Sequence, residues 1–217
     1  MQQRSTRTLY AYWNEIRGAR STPERRDIDP TRIREALAYT FILESDDGLD
    51  FDFRLAGSHL CSTYCRELKG RPFASLWSGK DRDALDTLIR AVTEDHAVAL
   101  VTFEGKSDRG ETATFETVLF PLRHNGVTTA RIMGGLTALD TPYWLGIHPV
   151  TEQRITGLRL IWPDDHDTAA TREITASAVN EMAGAMHAGN MPPIPVTVAG
   201  SSARRYAHLA VIDGGKA

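Results

Sequence analysis

Apolar residues at Leu9, Tyr12, Trp13 and Ile16 fall at i, i+3, i+4 and i+7, so an amphipathic helix is expected over about 6–17, with Ser5 or Thr6 as its N-cap and Gly18 as its stop. Such a stripe must be covered, either by the chain's own sheet or by a second copy of the chain. An uncovered stripe of this size makes Leu9, Tyr12, Trp13 and Ile16 the expected interface of a homodimer. The polar, turn-rich segment 21–30 then connects to a short helix from Thr31 through Ala38, carried by Ile33 and Leu37 at i, i+4.

The period changes to two after that point. Tyr39–Leu43 is β-branched and aromatic, Asp46-Asp47-Gly48 makes a turn, and Phe51, Phe53 and Leu55 alternate with Asp52 and Arg54, which predicts a β-hairpin. Between Ser58 and Trp77 the alternation is lost to short helical turns broken by Gly70 and Pro72. Ser78 with Asp81 forms a capping signal for a longer helix, along which Ala84, Leu85, Leu88, Ile89 and Val92 recur at helical spacing. Three strands follow at Val98–Glu104, Thr112–Leu122 and Ala130–Leu139, joined by turns at Ser107–Gly110 and Asn125-Gly126.

The order β-β-α-α-α-β-β-β gives an α+β fold: a five-stranded antiparallel sheet with helices on one face, preceded by the N-terminal amphipathic helix and followed by a flexible C-terminal tail. The expected divisions are 1–34 for the helix and connector, 35–160 for the domain, and 161–217 for a weak helix, a linker rich in Gly, Ala and Pro, and a strand-like end at Arg204–Gly215. That basic, alternating end is suited either to pair with an exposed sheet edge of a partner or to fold back on its own domain.

Composition narrows the setting. The formal net charge of −3 on 217 residues is too near balance for a dedicated nucleic-acid or anionic-membrane surface, although eight arginines against four acidic residues make the first 34 residues basic. No apolar run approaches a membrane span and the opening MQQRSTR lacks a secretory core, so a cytoplasmic protein is expected, with neither nucleic acid nor membrane as partner. The two cysteines, Cys61 and Cys65, fit a reducing compartment and no disulfide.

A set of motifs runs through the chain in order: Leu9-Tyr10-x-Tyr12-Trp13, Ile28-Asp29-Pro30, Arg54-Leu55-Ala56-Gly57, Cys65 through Phe73, Leu76-Trp77, Phe120-Pro121-Leu122-Arg123 and Pro142-Tyr143-Trp144-Leu145-Gly146. Together they resemble the bacterial family of stand-alone PAS-domain proteins known as the fifth PAS subfamily, over about residues 6–162. The resemblance implies a PAS-like fold and a sensory or regulatory protein without an attached kinase or cyclase. The family usually has Gly where this chain has Cys65, so no cysteine chemistry is carried over.

Arg54, Glu116 and Arg131 sit on strands that are otherwise apolar, where a charge either faces solvent or anchors a ligand between sheet and helices. With His59, Cys65, Arg66 and Trp77 from the crossover they make the expected ligand-binding set. Cys65-Arg66-x-Leu68-x-Gly70 is similar to the flavin-adduct motif of light-sensing PAS domains, but Asn125 is the only Asn or Gln in the meander to bond a flavin edge. His59, Cys61 and Cys65 offer three metal or haem ligands at an unrecognised spacing, one short of a structural zinc site, so no metal is expected and the cofactor stays unknown. H-E-x-x-H, G-x-S-x-G, Walker and G-x-G-x-x-G signatures are lacking, and no enzyme activity is expected. The expected function is therefore to bind an unidentified small molecule in the core and to signal through contact with a protein partner. The alternative is an interaction adaptor of the same fold with no ligand.

Overall fold

The computed structural model describes residues 1–48, 50–162 and 172–175. Helix α1 (Arg4–Arg17) leads through 3-10 turns at Arg25–Asp27, Pro30–Ile33 and Leu37–Tyr39 into the hairpin β1 (Thr40–Glu44) and β2 (Asp52–Ala56). Helix α2 (Ser58–Thr63), a 3-10 turn at Phe73–Leu76 and helix α3 (Gly79–Thr93) form the crossover. The meander β3 (Val98–Ser107), β4 (Thr112–His124) and β5 (Val127–Ala138) follows, then β6 (Val150–Ile161) and β7 (Arg172–Thr175).

All pairings are antiparallel, in the spatial order β2-β1-β5-β4-β3-β6-β7. The five expected strands are present, with the hairpin inserted beside the last strand of the meander: Phe41 of β1 lies opposite Gly134 of β5. The sheet does not stop there. β6 pairs with β3 from Val98↔Ile161 to Ser107↔Val150, and β7 adds a short strand on its far side. Five strands are therefore corrected to seven, the last at 172–175; the weak helix expected within 161–217 otherwise falls outside the described residues. The expected linker and the strand-like end at 204–215 lie outside the described residues.

Both faces of the sheet are apolar, and each is covered by different elements. The inner face packs under α2, α3 and the 3-10 turn between them, where Phe41, Phe53 and Phe73 meet with centroids 5.5–5.7 Å apart. The outer face carries Val98, Leu100, Val118, Phe120 and Met133, and α1 lies across it. Leu9 and Trp13 are 0% exposed, Tyr12 is buried and Ile16 half-buried. Trp13 stacks on Phe120 at 5.7 Å and its indole N–H donates to the Pro121 carbonyl at 2.9 Å. The expected dimer interface is thereby corrected: the stripe is spent on the chain's own sheet, because strands apolar on both faces need cover on both.

Gly134 and Gly135 make this double packing fit. A Cβ at Gly134 would run into the Phe41 ring on the inner face, and one at Gly135 into Leu9 on the outer face. Two expected caps are also corrected. Ser5 bonds Thr137 at 2.7 Å instead of capping α1, whose N-cap is Gln3, and the first amides are taken by the Glu116 carboxylate of β4: Gln2 N–H at 2.9 Å and Gln3 N–H at 3.4 Å. Ser78 makes no capping bond to α3. The Asp81 carboxylate accepts from Ile155 N–H at 3.1 Å and so ties α3 to β6. The helix expected over 31–38 is two 3-10 turns.

Candidate functional site

In an apolar layer a polar atom without a partner is costly, so such atoms mark places where something else is to be bonded. Three lie on the inner face: the Tyr64 hydroxyl, the Trp77 indole N–H and the Gln153 side-chain oxygen are buried and complete no well-formed hydrogen bond among the described residues, although the Tyr64 and Gln153 side chains interact with each other.

Local structure brings them together. Helix α2 ends in a Schellman turn, with Cys65 N–H on the Ser62 carbonyl and Arg66 N–H on the Cys61 carbonyl, both at 3.0 Å, and Cys65 at φ 46°. That reversal turns Tyr64 inward and leaves Cys65 and Arg66 exposed. Trp77 follows the 3-10 turn and meets Phe103 edge-on at 4.9 Å. Gln153 comes from β6, next to β3, and its amide donates to the Leu76 carbonyl at 3.0 Å, one residue before Trp77. Burial pushes the Tyr64 phenol far up, and the neighbouring Gln153 amide and Arg66 charge offset this only in part. The hydroxyl therefore remains a donor. The cluster thus offers two donors and one acceptor beside Leu76 and Phe103.

Of the seven residues expected to bind a ligand, Trp77 alone belongs to this cluster. Arg54 is exposed on β2, pairs with Glu44 at 3.4 Å and lines an open acidic cleft of about 440 Å³ with Asp46, Asp47, Asp50 and Asp52. Arg131, half-buried on β5, pairs with the same Glu44. Glu116 is 1% exposed but on the outer face, at the start of α1, so it anchors that helix and does not reach the inner layer. Those three placements follow from strand parity: neighbours at 53, 115 and 132 face inward, so 54, 116 and 131 cannot. His59 is exposed and stacked on Tyr39 at 4.2 Å, Cys65 bonds the Ser62 carbonyl at 3.3 Å, and Arg66 is exposed. Cys61 faces Glu67 at 3.8 Å, and burial, with that carboxylate, pushes its thiol up. Among the described residues no three His, Cys, Asp or Glu side chains are grouped to hold a metal, and no helix is long and apolar enough to cross a membrane.

Tyr64 and Gln153 escaped the sequence reading. Tyr64 continues the spacing Leu60, Tyr64, Leu68, a usable signal that the broken turns around it obscure. Gln153 is a lone amide on a strand whose alternation is itself broken.

A sheet whose meander packs beside an N-terminal hairpin, with a helical crossover closing over a partly polar inner face, defines an α+β domain. The chain belongs to the PAS-domain family, whose model matches residues 1–137. PAS domains are general sensory and signalling modules. Among solved structures the chain is similar to a light-oxygen-voltage domain described with a flavin analogue, at 14% identity and a TM-score of 0.41, over 52% of this chain and 85% of that one. It is also similar to the PAS domain of a LuxR-family transcriptional regulator from Burkholderia thailandensis, described in complex with ethanol, at 18% identity and a TM-score of 0.38, over 52% of this chain and 100% of that one. No curated protein matches.

Proposed function

We propose that the chain is a cytoplasmic sensory or regulatory PAS protein that takes a small molecule between the inner face of its sheet and the α2–α3 crossover. It acts without catalysis and passes the change by contact to a signalling protein or a second copy of itself. The observation that carries this reading is the grouping of buried polar atoms at one place in the inner layer: Gln153 lies beside Tyr64 and bonds the Leu76 carbonyl next to Trp77, and the Tyr64 hydroxyl, the Trp77 indole N–H and the Gln153 side-chain oxygen complete no well-formed hydrogen bond. Satisfying them with a ligand would recover a cost of about 1–3 kcal/mol per group. Tyr143 and Ile147, large apolar side chains left 81% and 66% exposed, support output through protein contact.

One observation favours a second reading, an interaction adaptor that binds nothing. The Phe41–Phe53–Phe73 group and the Phe103–Phe115 stack at 5.1 Å fill much of the inner layer with protein. Mass spectrometry of small molecules released from the purified full chain separates the two. The ligand reading expects one compound at near-stoichiometric yield, lost in Gln153→Leu and Tyr64→Phe while both variants still fold. A wild type that releases no compound favours the adaptor.

A further inference from the structure

We propose that the junction between the N-terminal connector and the β4–β5 hairpin is a binding pocket for a phosphate group, carried by the free ion or by a small phosphorylated metabolite. The site is separate from the Tyr64–Trp77–Gln153 cluster, and its test is independent of whether that cluster binds anything.

The backbone builds the pocket. Arg123 N–H donates to the Pro23 carbonyl at 2.9 Å, and Glu24 bridges Arg123, so the connector is fastened to the end of β4. The 3-10 turn Arg25–Asp27 begins there, and the hairpin tip rises opposite it through Asn125 at φ 52° and Gly126 at φ 84°. Between them lies a cavity of about 310 Å³, lined by Glu24, Arg25, Arg26, His124, Asn125 and Gly126. Its volume admits more than an inorganic ion.

Its charge is not balanced from within. Two arginines face one carboxylate among the lining residues. Asp27, the other acid on the turn, also feels the Arg26 charge, but its carboxylate accepts from Glu24 N–H at 3.1 Å and pairs directly with Arg20 at 2.8 Å. Neither the Arg25 nor the Arg26 guanidinium forms a hydrogen bond or ion pair with a described residue, and at the same junction the Arg123 Nε is buried without a partner. An arginine lining the cavity presents paired N–H donors that match two oxygens of a tetrahedral oxyanion, which a solvated ammonium does not. The His124 imidazole and the Asn125 amide add further polar groups from the opposite wall. A phosphate held there would tie the connector to the hairpin tip, and through the connector would stiffen the exit of α1 from the sheet.

The test is a titration of the ¹⁵N-labelled full chain at constant ionic strength, with inorganic phosphate in one arm, ribose 5-phosphate in a second and chloride as control. The expected result is saturable amide shifts at Arg25, Arg26, Asn125 and Gly126. Affinity should be at least about tenfold weaker in R25Q/R26Q, partly kept in R25K/R26K, and unchanged in Arg90→Gln on α3. These arginines form no described bonds, so thermal melting should not move in either double variant. Equal affinities in the two arms assign the free ion; tighter ribose 5-phosphate assigns a metabolite. Shifts that do not saturate in either arm, or an affinity that R25Q/R26Q leaves unchanged, overturn the proposal.

Discussion

At position 65 the backbone sits at φ 46°, the left-handed region that closes a Schellman turn and that side chains with a Cβ enter only at a cost. This explains why the resembled family carries Gly where this chain has Cys: the position is defined by the turn, and the thiol points out to the Ser62 carbonyl. Cys65→Gly should therefore stabilise the chain by up to about 1 kcal/mol, the strain relieved outweighing the added freedom of the unfolded chain. A lower midpoint in urea unfolding would count against this account. Asp86 on α3 gives a second residue-scale penalty, electrostatic and pH-dependent where the first is conformational. Burial raises its carboxyl above the ordinary value, with Asp83 and Asp50 adding to the rise and Arg82 and Arg90 opposing it. The folded state thus disfavours the charge, a penalty present in full above the folded pKa and gone below about pH 4, where the carboxyl is protonated in both states. Because the side chain is largely exposed, Asp86→Asn should raise stability by only a few tenths of a kcal/mol at pH 7, and the gain should vanish on acidification. Urea midpoints of both proteins at the two pH values measure it.

For the elements, α1 shows what periodicity does and does not reveal. The i, i+3, i+4, i+7 stripe located the helix to within two residues at its start and to the residue at its end, but it says only that something covers the stripe. The covering surface was legible elsewhere. Val98–Phe103 and Thr117–Leu122 are nearly continuous apolar runs, and strands of that kind are buried on both faces. Since α2 and α3 occupy one face, α1 is left for the other, and the Gly135 close approach to Leu9 fixes the contact. Trp13→Glu is therefore not expected to release a soluble monomer from a dimer. It should place a charge among Phe120, Val118 and Leu9 and break the bond to Pro121. The milder Trp13→Ala should already cost about 3–5 kcal/mol. Circular dichroism melting measures both, and an unshifted melt for Trp13→Ala would mean that α1 does not rest on the sheet as described.

In the whole molecule, the hairpin, crossover and meander were readable because each repeats one period within itself, and the PAS topology follows from their order. The sixth strand was not readable, for a physical reason. Its inward residues Val150, Gln153, Ile155, Leu158 and Leu160 are spaced 3, 2, 3 and 2 apart, because the ladder to β3 slips at Thr102/Phe103 and again at Lys106/Ser107. Each slip inserts a residue and reverses parity, so period two never appears. The same irregular strand supplies the Gln153 amide, and the candidate site was hidden along with it. The family model also stops at residue 137, near the end of β5, which poses the question of where the folding unit ends. Energetics place its end later. Val150, Ile155, Leu158 and Leu160 close the inner layer beside β3 and are all buried. At about 1.5–3 kcal/mol for each such side chain, their burial is comparable to the about 5–15 kcal/mol that holds a whole domain together. Without β6 the bonding edge of β3 would also be bare, and Asp81 would lose the Ile155 amide that ties α3 to the sheet. A chain ended at residue 140 should consequently fail to show a cooperative melt, whereas one ended at 162 should melt cooperatively. A cooperative transition at an unchanged midpoint in the shorter chain would show that β6 is an appendage and that the five-stranded unit stands by itself.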